Sequence, residues 1–145
     1  MTAAYGGAVE SLRTVGRWIL GAFVLFAGIG HLTYLRTEFQ AQVPPWIPLD
    51  ADFVVVASGV VEVILGAALI VVRRWRTQVG WVVAAFFVAV FPGNIAQWVE
   101  GRDAFGLTTD TARAVRLLFQ PVLIAWALWS TGAWRAWRRR NVAAN

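Results

Sequence analysis

Phe53-Val54-Val55-Val56-Ala57-Ser58-Gly59-Val60-Val61-Glu62-Val63-Ile64-Leu65-Gly66-Ala67-Ala68-Leu69-Ile70-Val71-Val72 decides the fold, because it is apolar or small throughout except for Ser58 and one acid. A helix of that length rises about 30 Å, the thickness of a bilayer's hydrocarbon core. Glu62 sits near its middle. A carboxylate at that depth costs about 2.5 kcal/mol or more even on lenient insertion scales, so it faces protein or water and marks function.

Three further stretches are long and apolar enough to span. With the one just quoted, the spans are expected at about 14–35, 52–72, 78–99 and 114–134. The expected fold is all-α, a four-helix transmembrane bundle forming a single domain over 1–145. Composition agrees: the chain of 145 residues is 59% hydrophobic and 14% charged, where a soluble domain carries about 25% charged residues. Mean hydropathy is +0.60. Arg13 and Arg17 ahead of the first stretch imitate a signal peptide, but the run continues to Leu35 without a clean small-residue cleavage motif, so a retained helix is expected.

The same composition excludes several chemistries. Without cysteine the chain offers no disulfide, thiol nucleophile, iron–sulfur cluster or CxxC redox pair of its own. A single histidine forbids bis-histidine haem ligation within one chain, and no metal site is expected. The net charge of +5 does not imply nucleic acid, because the arginines lie at the ends of apolar segments and not in one patch with exposed aromatics.

Charge also predicts orientation. Arg13, Arg17, Arg73, Arg74, Arg76, Arg135, Arg138, Arg139 and Arg140 fall on one side of a four-span chain, and the other side is charge-mixed. The positive-inside rule then puts both termini in the cytoplasm of a plasma-membrane protein. Trp18, Trp75, Trp81, Trp134 and Trp137 near one boundary, with Trp46 and Trp98 near the other, read as an interfacial belt. The loop Gln42-Val43-Pro44-Pro45-Trp46-Ile47-Pro48 cannot be helical and is expected to cap the outer surface; residues 101–112 read as an ordinary exposed loop. The arginine-rich tail reads as an anchor to anionic headgroups.

Among the polar residues of the spans, His31, Ser58, Glu62, Asn94, Gln97, Arg116 and Gln120 all lie in the outer half or near the midplane. Ser58, Gly59, Glu62 and Gly66 share one helical stripe, and Ala27, Gly28, His31 and Tyr34 form another. Pro92 and Pro121 each interrupt a helix ladder beside a polar residue, and such kinks open room for a pocket. Asn, Gln, Ser and His also serve as interhelical glue at about 1–2 kcal/mol or less each, whereas glue does not require an acid.

Five stretches in register resemble the DoxX family of four-helix membrane proteins: Ala27-Gly28-Ile29-Gly30-His31, Val43-Pro44-Pro45-Trp46-Ile47-Pro48, Ser58-Gly59-Val60-Val61-Glu62, Val90-Phe91-Pro92-Gly93-Asn94-Ile95, and Arg116-Leu117-Leu118-Phe119-Gln120. The resemblance spans roughly 14–130 and implies family roles for His31, Glu62, Asn94 and Gln120. Gly93 stands where alanine is usual, a minor departure. Members resemble membrane subunits of quinone-linked sulfur oxidation, components of redox-defence complexes, or a receptor-assembly chaperone.

Two functions follow as expectations. In the first, the chain is a membrane subunit of a redox complex, binding a quinone or similar lipid-soluble ligand beside a redox partner subunit. His31 and Gln120 would bond carbonyl oxygens, Glu62 would exchange the proton, Arg116 would stabilise negative charge, Phe91 and Trp126 would stack, and Asn94 and Ser58 would complete the pocket. In the second, a non-enzymatic assembly or scaffold protein recognises a client's transmembrane helices through the small-residue stripes. A proton-coupled transporter is a third, weaker reading; one intramembrane acid in four spans is meagre for alternating access without self-association, itself a further expectation.

Overall fold

In the computed structural model, which describes residues 2–143, every regular element is a helix: α1 (Thr2–Leu32), α2 (Arg36–Gln40), α3 (Ala51–Val71), α4 (Arg76–Val99), α5 (Asp110–Ser130) and α6 (Ala133–Ala143). The four long helices are long and apolar enough to cross a membrane. Their outward faces carry Phe23, Phe26, Ile64, Val82, Leu118 and Val122, all exposed. Water would not tolerate so continuous an apolar surface, and lipid covers it without cost. The chain is a multi-pass membrane protein.

The helices run antiparallel in two pairs. α1 packs most extensively on α3, and α4 on α5; lesser contacts between α1 and α5 and between α3 and α4 close the ring. The first pair is tight because glycine faces glycine. A Cβ at Gly28 would lie 2.8 Å from Gly59 O, and one at Gly66 would lie 2.5 Å from Leu25 N and 2.8 Å from Gly21 O. The backbones therefore approach as closely as small-residue interfaces permit. Arg17, 3% exposed, reaches from α1 to the far end of α3, where Nη1 donates to Leu69 O (2.6 Å) and Val72 O (3.0 Å). A cation there answers the orphan carbonyls and the dipole of the helix C-terminus.

The apolar core occupies one half of the bundle. Leu20 and Val24 of α1, Leu65 and Leu69 of α3, Val83 and Phe87 of α4 and Ala127 of α5 fill the half nearer the termini. At that end Glu10 of α1 meets Arg76 of α4 (2.5 Å) and Arg135 of α6 (3.3 Å).

Boundaries depart from expectation where solvation, not apolarity, governs. α1 extends back to Thr2, because a hydropathy window sees the lipid-crossing part of a helix and not its wetted turns. It stops at Leu32, where the Thr33 and Leu35 amides turn back onto Gly30 O. Tyr34, expected on the His31 stripe, is therefore off the helix and exposed. The fourth span ends at Ser130, not 134: Gly132 adopts a left-handed φ of 74°, and α6 starts anew. Asp50 caps α3 by accepting from Phe53 N (3.0 Å). Asp52 instead receives a bidentate pair from Arg36, plus Gln40 Nε2 at 3.1 Å, which fastens α2 to α3. The seven tryptophans expected at the two interfaces are exposed.

Candidate functional site

Where the core ends, a cavity of about 280 Å³ begins, lying between the helix pairs in the half away from the termini. Val24, Phe87 and Leu123 form its floor, and the segment Gln42–Ile47 its roof. Val43 and Pro44 are buried, as a capping loop requires, while Trp46 stays exposed. The roof seats on Gly93, where any Cβ would collide with Gln42 O. Glycine at this position is therefore not a minor departure from alanine: it lets the loop backbone lie directly on α4.

Glu62 sits on the face of α3 turned into the bundle, 9% exposed, and His31 in the last turn of α1 is 6% exposed. His31 Nδ1 lies 2.7 Å from Glu62 Oε2. The contact is out of line with the ring N–H, so neither atom has a hydrogen bond of normal geometry among the described residues. Gly59 makes the approach feasible, since a Cβ there would fall 2.6 Å from His31 Cβ. Phe39 of α2 packs edge-on against the imidazole. Ser58 lines the cavity, but its hydroxyl bonds Val55 O on its own helix at 3.0 Å.

Across the cavity a second polar chain joins α4 to α5. Asn94 Nδ2 donates to Gln120 Oε1 (3.0 Å), and Gln120 Nε2 donates to Phe87 O (2.6 Å). All of it is buried, so each bond is worth more than its counterpart in water and would be costly to leave half made.

Arg116 completes the wall and differs from every cation near it. Its neighbour Arg113 is held by Asp103 (2.6 Å), Asp110 (2.7 Å) and Leu107 O (3.0 Å). Arg36 and Arg102 likewise have carboxylates. Half-buried Arg116 has none within ion-pair distance among the described residues. Its guanidinium stands 4.8 Å from the Phe105 ring centroid, and the Gln42 carboxamide oxygen, oriented to satisfy both groups, accepts from Nη2 at 2.5 Å. A ring face and an amide dipole reduce the cost of burying the charge without neutralising it.

Six residues expected at a site thus line one cavity: His31, Ser58, Glu62, Asn94, Arg116 and Gln120. Phe91 and Trp126 do not. Phe91 is half-buried on α4 outside the lining, because the cavity face of that helix passes through Phe87, Val90 and Asn94. Trp126 lies towards the terminal half of α5, where its indole N–H donates to Gly16 O of α1 at 3.0 Å. It is a tie between helices; the partner its N–H required is a backbone carbonyl and not a ligand.

Phe39, Gln42 and Phe105 are the neighbours that sequence reasoning missed. The 101–112 loop is no ordinary exposed loop: Ala104 is buried, and Phe105, at a left-handed φ of 56°, covers Arg116 and meets Phe39 at a centroid distance of 4.7 Å. Glu38 Oε2 accepts from the Phe105 amide at 2.6 Å, which holds the strained backbone in place. A lone aromatic at Ala104-Phe105-Gly106 in a polar loop was the available signal.

Chemically, the cavity offers an acid beside an imidazole for moving a proton, an uncompensated cation for acceptor oxygens, and apolar side chains along its floor. Residues 20–131 match the family described as Domain of unknown function (DUF8561). No curated protein and no solved structure matches the chain.

Proposed function

The chain belongs to the DUF8561 family, and we propose that it acts as a DoxX-like membrane subunit of a redox-associated complex, binding a quinone or similar lipid-soluble ligand in the loop-half cavity. The observation that carries this reading is the buried His31–Glu62 contact, without normal hydrogen bonds, facing the same space as uncompensated Arg116. Groups so arranged are costly to leave unserved and fit a ligand that brings acceptor oxygens and takes up a proton.

The residues suit such a head group in size and chemistry. A cavity of about 280 Å³ is at the small end of ligand sites and admits one substituted ring rather than an extended lipid. A quinone supplies reversible two-electron, two-proton chemistry when bound. Glu62 Oε2 and His31 Nδ1 hold and pass a proton at the cavity wall. Arg116 Nη1 and Nη2 attract an oxygen as negative charge grows on it. Gln120 spends one amide hydrogen on Phe87 O and Asn94 one on Gln120, so these two position the wall and donate only through their remaining hydrogens. Val24, Phe87 and Leu123 give the ring an apolar floor. An iron–sulfur or dithiol electron carrier would sit on a partner subunit, since the chain has no cysteine.

The arginine bias supports termini in the cytoplasm of a plasma-membrane protein. The client-recognition reading loses its best support, because Gly28, Gly59 and Gly66 are spent on the contact between α1 and α3 rather than presented outward.

The test is organic extraction of the purified protein followed by mass spectrometry, for wild type, Glu62→Gln and Arg116→Gln. A quinone or another polyprenyl compound retained by wild type and reduced at least about tenfold in both variants, a loss near 1.4 kcal/mol, is expected. Phospholipid alone in all three would end the proposal.

A further inference from the structure

A second concavity lies at the opposite end of the molecule, on its lipid-facing surface. This groove of about 430 Å³ runs along α5 from Pro121 past Ile124 to Leu128, and is walled at the end nearer the chain termini by Trp129 and Trp134. Arg13 of α1 and Arg135 of α6 close that end. Within a bilayer every apolar groove meets acyl chains, so the floor alone selects nothing. Selection comes from the head of the groove.

There the charge is lopsided. Arg13 Nε and Nη1 are buried and have no hydrogen-bond partner among the described residues. Its charged neighbours are Arg135, Arg76 and Arg139 against the single carboxylate of Glu10. Both Glu10 oxygens are engaged, Oε1 by Arg76 Nη1 at 2.5 Å and Oε2 by Arg135 Nη2 at 3.3 Å. Among the described residues four guanidinium groups share this one carboxylate, and Arg13 lines the groove's end. A partly buried guanidinium cannot shed its charge and is best answered by an anion of planar or tetrahedral oxygens. The tryptophans mark the depth at which headgroup phosphates lie.

We propose that this groove is a binding site for one anionic phospholipid of the leaflet on the side of the termini. The phosphodiester is held by Arg13 with help from Arg135, and an acyl chain lies along the Pro121–Leu128 face of α5. The bound lipid covers the junction of α1, α5 and α6 and offsets one positive charge of the arginine cluster. The site is separate from the cavity at the other end, and neither depends on the other.

The experiment is native mass spectrometry of the full chain in detergent micelles titrated with phosphatidylglycerol or phosphatidylcholine. Two arginines acting on one phosphate predict that wild type retains phosphatidylglycerol at least about tenfold more tightly than phosphatidylcholine. Arg13→Gln lowers phosphatidylglycerol to the phosphatidylcholine level, Arg13→Lys recovers part of the difference, and Leu128→Trp, which fills the groove, weakens both lipids. Arg138→Gln, an exposed arginine of α6 outside the groove, leaves retention unchanged. Equal retention of the two lipids by wild type overturns the proposal. So does equal loss in Arg13→Gln and Arg138→Gln, which would mean diffuse attraction to the basic surface. An unchanged melting temperature in Arg13→Lys separates lost binding from lost fold.

Discussion

Gly66→Ala is expected to destabilise the bundle, although alanine is the better helix former by about 1 kcal/mol. The added Cβ would stand 2.5 Å from Leu25 N, 2.8 Å from Leu25 Cα and 2.8 Å from Gly21 O, all backbone atoms that no rotamer change can move aside. Ordinary contact begins near 3.4 Å, so α1 and α3 must part locally by several tenths of an ångström. Opening a packed interface by 0.5–1 Å forfeits roughly a quarter to a half of each 0.1–0.2 kcal/mol contact, and several tens of contacts give a loss of about 2–3 kcal/mol. Set against the propensity gain, the net loss is about 1–2 kcal/mol, within the range typical of overpacking. The control is Gly7→Ala: a Cβ there meets nothing within 4 Å, so propensity acts alone and stability should rise by up to about 1 kcal/mol. Equilibrium unfolding in mixed micelles measures both. If Gly66→Ala matches or exceeds wild type as Gly7→Ala does, the close backbone contact is not what holds the first helix pair.

Four other substitutions separate scaffold from site. Arg113→Gln should destabilise the fold measurably more than Arg116→Gln, because Asp103, Asp110 and Leu107 O lose a shared donor, while Arg116→Gln should stay within about 1 kcal/mol of wild type in the same unfolding assay. Gly93→Ala should lift the roof from α4 and raise amide hydrogen exchange across residues 41–47, with little change in the α1 and α3 amides; unaltered exchange in the roof would contradict the contact with Gln42 O. Trp126→Phe removes the bond to Gly16 O and should cost about 1 kcal/mol; extracts of the variant should contain as much cavity ligand as wild type, since this indole lies off the lining.

Hydropathy located the four spans because lipid imposes one requirement over some twenty residues, and a window averages that well. It failed at the ends of α1 and α5, where the Thr33–Leu35 turn and the left-handed Gly132 decide matters by hydrogen bonding and backbone conformation. The convergence of His31, Glu62, Asn94, Arg116 and Gln120 was legible for a similar reason: polar residues at matched depth in antiparallel helices have few places to go except one another. Which aromatic would face them was not. Phe87 and Phe91, four residues apart on α4, stand only about 40° apart around the helix, and that small offset leaves Phe87 on the floor and Phe91 off the lining. Phe105 reaches Arg116 from a loop, where no periodicity reports direction.

The glycine contacts and the Arg17 lock both lie within the first half of the chain, between α1 and α3. During synthesis that half emerges first and contains all it needs to close into a hairpin, its glycines matched and the end of α3 already capped by Arg17. Asn94, Arg116 and Gln120 arrive on helices made later, so the cavity takes form only when the second hairpin docks. A ligand held at that seam would join two separately formed halves, and co-expressed fragments 1–74 and 75–145 are expected to recombine more completely when it is supplied.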